Sequence, residues 1–574
     1  MSIHAQFRIT AARKFWLILA LILAAGLPGA ERAARAAGAT YYVSPSGSDA
    51  NAGMSPEQPW RTIEKVNAWI FGAGDSVLFE GGQSFAGTLT FEAESGTPVS
   101  PITVGSYGAE RATISAGLRE GIFAHNSGGM RITSIDVVGS GSATNTSHGI
   151  YFLNDLPGNN KLEYIHIDNV DVSRFGHYGI LLDAAAGMSG YRDVQIEFAI
   201  AHENADGGIG MSAAKTRAHQ NVYIGHSQAY DNRGIPGLAR NSGNGIVLGS
   251  VDGGVIERSV AHGNGGLDTA DEGPVGIWAW DSTNIVIQYN ESYVNHTGGA
   301  HDGGGFDLDY STSNSLMQYN YSHGNDGAGF LLANSNSKIV STGNVVRYNI
   351  SENDGRKNYR FGGLHVYGAV YETEFYHNTV YVSPVAAAEP AAVSLYDWSG
   401  SNLHFRNNIL LTTAGVRLIN NELAGGSGLL FQGNDYWAGG GPFRINWNGA
   451  DYTSLGAWRV GAGQERDLGV DVGMNADPRL ANAGGGGTIG DPDRLTALIA
   501  YRLRDDSPLI DSGLDLPALY GVVPGDHDYY SYPIPAGRAY DVGAHEVHSY
   551  RLYLTIVIGS GGDPSPSLAR RLGI

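Results

Sequence analysis

Asparagine recurs along the middle of this chain with a period close to 30 residues, and that period restricts the fold more than any other feature. Asn290, Asn320, Asn349, Asn378, Asn408 and Asn434 follow one another at spacings of 30, 29, 29, 30 and 26. Their contexts match, as in Ile287-Gln288-Tyr289-Asn290, Met317-Gln318-Tyr319-Asn320 and Val346-Arg347-Tyr348-Asn349. A second series, Asn204, Asn232, Asn264, Asn295, Asn325 and Asn353, runs at 28, 32, 31, 30 and 28. Periods of this length signal a stacked array of small units. Each unit holds short alternating stretches broken by Gly, Asn and Asp, with no helical periodicity. A propeller blade needs roughly 40 residues or more. The expectation is therefore an all-β chain forming a parallel β-helix, right-handed because parallel crossovers almost always are. Asn suits its corners, since it tolerates the left-handed region and its amide can hydrogen-bond to the Asn of the next coil.

Composition supports such a chain. Gly is abundant at 83 residues, charged residues make up 16% and hydrophobic residues 42%, enough for a core and too apolar for disorder. There is no cysteine, so stability rests on burial and hydrogen bonds. Arg8, Arg13 and Lys14 precede the apolar run Phe15 to Ala25, and Ala34-Arg35-Ala36 fits a small-residue cleavage site. Residues 1–36 read as a signal peptide and the mature protein as secreted, with no later membrane span. Those 36 residues carry five basic and one acidic group, so their removal takes the formal charge from −20 to −24. Such a balance argues against nucleic acid and against polyanions generally. The expected organisation is a β-helix over 37–450, further coils and a cap over 451–546, and a strand (Leu552 to Ile558) with a flexible tail over 547–574. Helices are expected at Ile63 to Ile70 and Tyr452 to Val460, covering the two open ends of the stack. A monomer is expected.

One strand recurs as Gly245-Ile246-Val247-Leu248, Gly276-Ile277-Trp278-Ala279-Trp280, Gly305-Phe306-Asp307-Leu308-Asp309, Gly329-Phe330-Leu331-Leu332 and Gly363-Leu364-His365-Val366-Tyr367. Alternation turns Ile277, Phe306, Leu308 and Leu364 inward. Trp278, Trp280, Asp307, Asp309, His365 and Tyr367 then point outward on one sheet, the tryptophans exposed beside the aspartates. Neighbouring carboxyl groups repel, which splits their proton affinities and suits one to act as an acid and one as a base. Asp302 and His301 in the preceding turn, and Asp326 in the turn of the next coil, are assigned supporting roles. The assignment is catalysis by Asp307, Asp309 and Asp302, with Trp278, Trp280, His301, Asp326, Lys357, Arg360, His365 and Tyr367 contacting substrate. Lys357 and Arg360 lie in Asp354-Gly355-Arg356-Lys357-Asn358-Tyr359-Arg360, a basic loop in a chain with only six lysines. Such a loop could neutralise a uronate and take its C5 proton, as a lyase requires. No cofactor is required, although three carboxylates could hold Ca²⁺. His202, His262 and His323, each two residues before the second Asn series, are read as corner packing rather than metal ligands.

Motifs at both ends carry a family resemblance. Thr40-Tyr41-Tyr42-Val43-Ser44-Pro45-Ser46-Gly47-Ser48-Asp49, Pro59-Trp60-Arg61-Thr62-Ile63 and Gly74-Asp75-Ser76-Val77-Leu78-Phe79, with Asp477-Pro478-Arg479-Leu480 and Tyr540-Asp541-Val542-Gly543-Ala544, resemble bacterial exported β-helix proteins of the pectate-lyase-like superfamily. The stretch His301 to Tyr310 resembles the acidic centre of β-helical glycosidases. No glutamate follows on the next coil, where Leu331, Leu332 and Ala333 stand, and the polygalacturonase Gly-His-Gly turn and Arg-x-Lys strand are missing. The resemblance implies a polysaccharide-active protein. A glycoside hydrolase leads, a polysaccharide lyase comes second, and a non-catalytic carbohydrate-binding surface protein third.

Overall fold

The computed structural model describes residues 38–335, 340–357, 361–386, 388–423 and 425–548. The expected signal peptide, Arg360 and the Leu552 to Ile558 stretch lie outside the described residues. The chain winds into a parallel β-helix. One face is a 14-stranded sheet, and a 26-stranded sheet wraps the remaining faces. A central coil contributes Gly304–Asp309 to the first sheet and Leu316–Gln318 and Tyr321–His323 to the second. The interior is built by register. Ile246, Ile277, Phe306, Phe330, Leu364 and Val393 stack coil upon coil, each with 0% exposure.

The asparagines form the ladders that their spacing implied. Asn290 Nδ2 donates to Asn320 Oδ1 at 3.0 Å, and Asn320 Nδ2 to Asn349 Oδ1 at 3.0 Å. The same oxygens also accept the backbone N–H of the preceding coil's Asn. The row ends on Glu465, whose Oε1 accepts from Asn434 Nδ2 at 2.8 Å. Two details differ from expectation. The left-handed residue is the one before each ladder asparagine: Tyr289, Tyr319, Tyr348 and His377 have φ of 54, 57, 49 and 53°. The second ladder runs Asn204, Asn232, Asn264, Asn295, Asn325 and then Asp354, not Asn353, which takes the left-handed position with φ 56°. A carboxylate accepts the same two bonds as an amide oxygen, so the ladder continues through a residue type that a search for Asn passes over. His202, His262 and His323 alternate with Tyr230 and Tyr293 in one ring stack, with centroids 4.7–5.1 Å apart.

The first coil is covered by a short helix, Ile63–Asn67, started by Thr62 Oγ1 accepting from Lys65 N–H and burying Ile63 and Val66. At the other end Ser454 caps a helix over Leu455–Ala462, which stops at a left-handed Gly463. Its Trp458, with 0% exposure, packs edge-on against Phe431, Tyr436 and Trp447. Trp458→Ala is expected to destabilise the protein by about 3–5 kcal/mol and to promote aggregation through the bared last coil. Urea unfolding and light scattering check this.

Residues beyond the cap depart from the expected further coils. The last parallel pairings involve Asp435–Trp437 and Ile445–Trp447. The chain then returns along the outside of the stack. His527 stacks on Tyr319 at 4.5 Å, and Glu291 accepts N–H bonds from Ile489 and Gly490 at 2.8 and 2.6 Å. The tyrosines that precede the ladder asparagines point outward and form the surface on which this segment packs, giving a second apolar cluster outside the helix. Among the described residues no helix is long and apolar enough to cross a membrane.

Candidate active site

Five adjacent strands of the 14-stranded sheet carry the site: Val275–Trp280, Gly304–Asp309, Phe330–Asn334, Gly362–Gly368 and Ala391–Tyr396. Their register aligns Trp278, Asp307, Leu331, His365 and Ser394 in one outward row. Trp280, Asp309, Ala333, Tyr367 and Tyr396 form the next. The outward direction is as expected, but the exposure is not. Trp278, Asp307, Leu331 and His365 are only 5, 3, 5 and 3% exposed. Phe361, itself buried just before the His365 strand, lies 4.9 Å from the His365 ring, and Trp278 packs among Val247, Val275, Tyr178 and Trp280. Trp280, Asp309, Ala333 and Tyr367 remain half-buried, so the second row is the wetter edge.

Three carboxyl groups lie within electrostatic reach here. Asp309 Oδ1 accepts from Tyr310 N–H at 2.6 Å, and burial followed by repulsion from Asp302 pushes its pKa up to about 7. Asp302, held in the left-handed region at φ 55°, accepts from Gly273 N–H at 3.0 Å. Burial pushes it up to about 6. Asp307 lies between the Trp278 indole and Leu331. Burial, then the charges of Asp309 and Asp302, raise it well above the usual carboxylate range. Its Oδ1 is buried without a hydrogen-bond partner, and so are Trp278 Nε1 and His365 Nδ1. Burial holds the His365 imidazole down at about 3, hence neutral. Three orphaned polar atoms in one row are costly unless something binds there.

The other assigned residues sit on the rim. His301 is exposed, and its Nδ1 is 2.9 Å from the Asp271 carbonyl. Asp326 accepts from Thr297 N–H at 3.1 Å and pairs with His296 at 3.4 Å. Lys357 Nζ donates to the Thr297 carbonyl, and the Lys357 backbone N–H donates to the Asp326 carbonyl at 3.1 Å. Asp326 and Lys357 therefore clasp the loop around Thr297. Sequence reasoning missed Phe361, and also Tyr396, which stacks on Tyr367 with centroids 6.1 Å apart. The strand pattern of Ala391–Tyr396 repeats that of its neighbours and could have located Tyr396. Among the described residues no group of three or more His, Asp or Glu side chains converges closely enough to hold a metal ion. Chemically, a protonated carboxyl and an ionised one can coexist here near neutral pH, beside aromatic rings suited to sugar faces.

Fold and register define a right-handed parallel β-helix protein, and residues 237–380 match the family described as a right handed beta helix region. A lacto-N-biosidase of Bifidobacterium longum subsp. longum is 26% identical across 66% of this chain. The chain spans 29% of the length of that relative. Among solved structures, a GH136 lacto-N-biosidase from Eubacterium ramulus aligns with TM-score 0.48 and 18% identity, covering 69% of this chain and 67% of that one. Pectate lyase Pel9A aligns with TM-score 0.42 and 16% identity, covering 88% and 96%.

Proposed function

We propose that this protein is a secreted glycoside hydrolase in which Asp309 and Asp302 work as an acid–base pair. The observation that carries the reading is the placement of Asp309 directly beside Trp280 on the sheet, with Asp302 in the turn that leads into its strand. Burial, with Asp302's charge acting on Asp309, pushes Asp309 and Asp302 up to about 7 and about 6. Asp309 keeps its proton longer and donates it to the leaving glycosidic oxygen. Asp302 ionises first and serves as the carboxylate that activates water or attacks the anomeric carbon. Asp307, protonated in its apolar setting, offers a buried hydrogen bond to a sugar hydroxyl. The similarity to a lacto-N-biosidase supports hydrolysis and makes an aryl lacto-N-bioside the first substrate to test, beside a panel of polysaccharides.

Lysis through Lys357 is less well supported, because that amine is already engaged by the Thr297 carbonyl. Products separate the readings. A hydrolase yields reducing ends without ultraviolet absorbance. A lyase yields an unsaturated uronide and loses all turnover in Lys357→Met. A binding protein yields neither. Activity is expected to follow a bell-shaped pH profile with limbs near 6 and 7, reported as values of the coupled pair. It falls in acid as Asp302 is protonated, and falls in base as Asp309 loses its proton. A profile still rising above pH 8 would contradict this pairing. Export is tested by N-terminal sequencing of the mature protein, with a start near residue 37 expected.

A further inference from the structure

The outer face of the 14-stranded sheet continues toward the N-terminus from the carboxylates, and its floor is aromatic. The row that contains Asp307 passes back through Trp278, Val247, Gly210 and Leu181 to Tyr151 and Phe123. Phe123 and Tyr151 are half-buried and stack with centroids 5.4 Å apart. Between them and Trp278 the row would be bare at Gly210, but the Tyr178 ring lies across it. A Cβ on Gly210 would come within 2.6 Å of Tyr178 Cε1. One coil further, the Trp280 indole lies back over Gly249, where a Cβ would sit 2.5 Å from its Nε1. Glycine at these two outward positions lets the rings lie flat. Tyr178 joins Val247, Val275, Trp278 and Trp280 in one apolar cluster.

The rims of this stretch are acidic. Glu92 and Asp155 flank His125 at 2.6 and 3.0 Å, and Asp183 accepts from Ser212 at 2.6 Å. Arg240, near Tyr178 at the cluster's edge, is taken up by Asp206 at 2.8 and 2.6 Å. Flat rings with a polar handle suit the apolar faces of sugars, whereas acidic rims repel uronates.

We propose that Phe123, Tyr151, Tyr178 and Trp280 form a platform for an extended, neutral glycan whose chain continues into the carboxylate site. The proposal rests on the hydrolase reading only for the direction in which that chain is cleaved. Phe123 lies six coil steps from Asp307, ~29 Å at ~4.8 Å per coil. A disaccharide held at the carboxylates cannot reach that far, and a chain of several sugars can. The occupant is thus a glycan longer than the unit released, lying along the helix axis.

The test is native affinity electrophoresis of the full chain carrying Asp309→Asn, which removes cleavage. The gels contain soluble galactan, xyloglucan, arabinoxylan or polygalacturonate. At least one neutral polymer is expected to retard the protein, and polygalacturonate is not. Phe123→Ala and Tyr151→Ala should each weaken that affinity about tenfold with unchanged unfolding temperature. Phe198→Ala, at an aromatic 56% exposed in the turn between Gly190–Glu197 and Ile200–His202 of the 26-stranded sheet, should bind like the parent. Retardation by no neutral polymer, by polygalacturonate alone, or equally in all variants overturns the platform. If binding behaves as expected while the wild-type chain releases no reducing ends from any of these polymers, the hydrolase reading fails and the platform stands.

Discussion

Asp309→Asn is expected to lower kcat/KM at pH 6.5 by about 10³-fold, within the ~10²–10⁴ that a positioned acid supplies, and at the same time to raise the unfolding temperature at pH 8. The second half follows from linkage. A free aspartate ionises near about 3.9, whereas burial and the neighbouring Asp302 push Asp309 up to about 7 in the folded chain. Below both values the proton is bound in both states, and the group costs nothing. As pH rises between them the unfolded chain ionises and the folded chain does not, so the wild type loses stability across that window and stays penalised above it. Asn carries no such penalty. Asp302→Asn should behave alike, over a window that closes near 6. A carboxylate kept for structure gives the opposite pattern, since its Asn variant loses stability as well as shape. Activity within tenfold of wild type, or a lower unfolding temperature at pH 8, would falsify the role assigned to Asp309.

Asn320→Leu is expected to be the most damaging single change in the wall of the helix. Asn320 has 0% exposure; its Oδ1 accepts both Asn290 N–H at 3.1 Å and Asn290 Nδ2 at 3.0 Å, and its Nδ2 donates to the Ile287 carbonyl at 2.8 Å. Leucine has similar bulk but leaves these groups unpaired in a dry corner. At ~1–3 kcal/mol per unsatisfied group the loss should be about 3 kcal/mol or more. In a solenoid each coil touches mainly its neighbours. Hydrogen exchange should therefore quicken in the coils around Asn290 and Asn349, while the early strand Ile102–Tyr107 keeps its protection. Unchanged exchange around residue 320 would show that the ladder contributes little.

The register of the site was legible because a two-residue alternation and a recurring glycine align Gly276, Gly305, Gly329 and Gly363 without any long-range information. Its burial was not legible. His365 is covered by Phe361 and Trp278 by the neighbouring Tyr178 and Trp280 side chains, and nothing periodic in the sequence encodes where such rings fold. The ladders were legible as spacing but not at their ends, since Asp354 and Glu465 do the work of an amide oxygen with different side chains. The returning C-terminal segment was hidden because its contacts, such as His527 on Tyr319, join residues 208 apart. Among the carboxyls, pairing on one strand drew attention to Asp307 and Asp309. The titration partner of Asp309 is as much Asp302, which the left-handed turn brings back toward it.

The ladders have a direction. Each amide oxygen in a row accepts from the coil before it, and each amide nitrogen sends one N–H to the next coil's amide and the other back to a carbonyl of the preceding coil. Each row closes on a carboxylate, Asp354 or Glu465, which need only accept. Such a row can be lengthened by inserting coils anywhere before its carboxylate without disturbing either end. One row stops at Asp354 in the turn before the His365 strand, while the other continues through Asn378, Asn408 and Asn434 to Glu465. The wall of this protein is in that sense modular, with the number of coils free to change while the turn that carries Asp302 stays fixed.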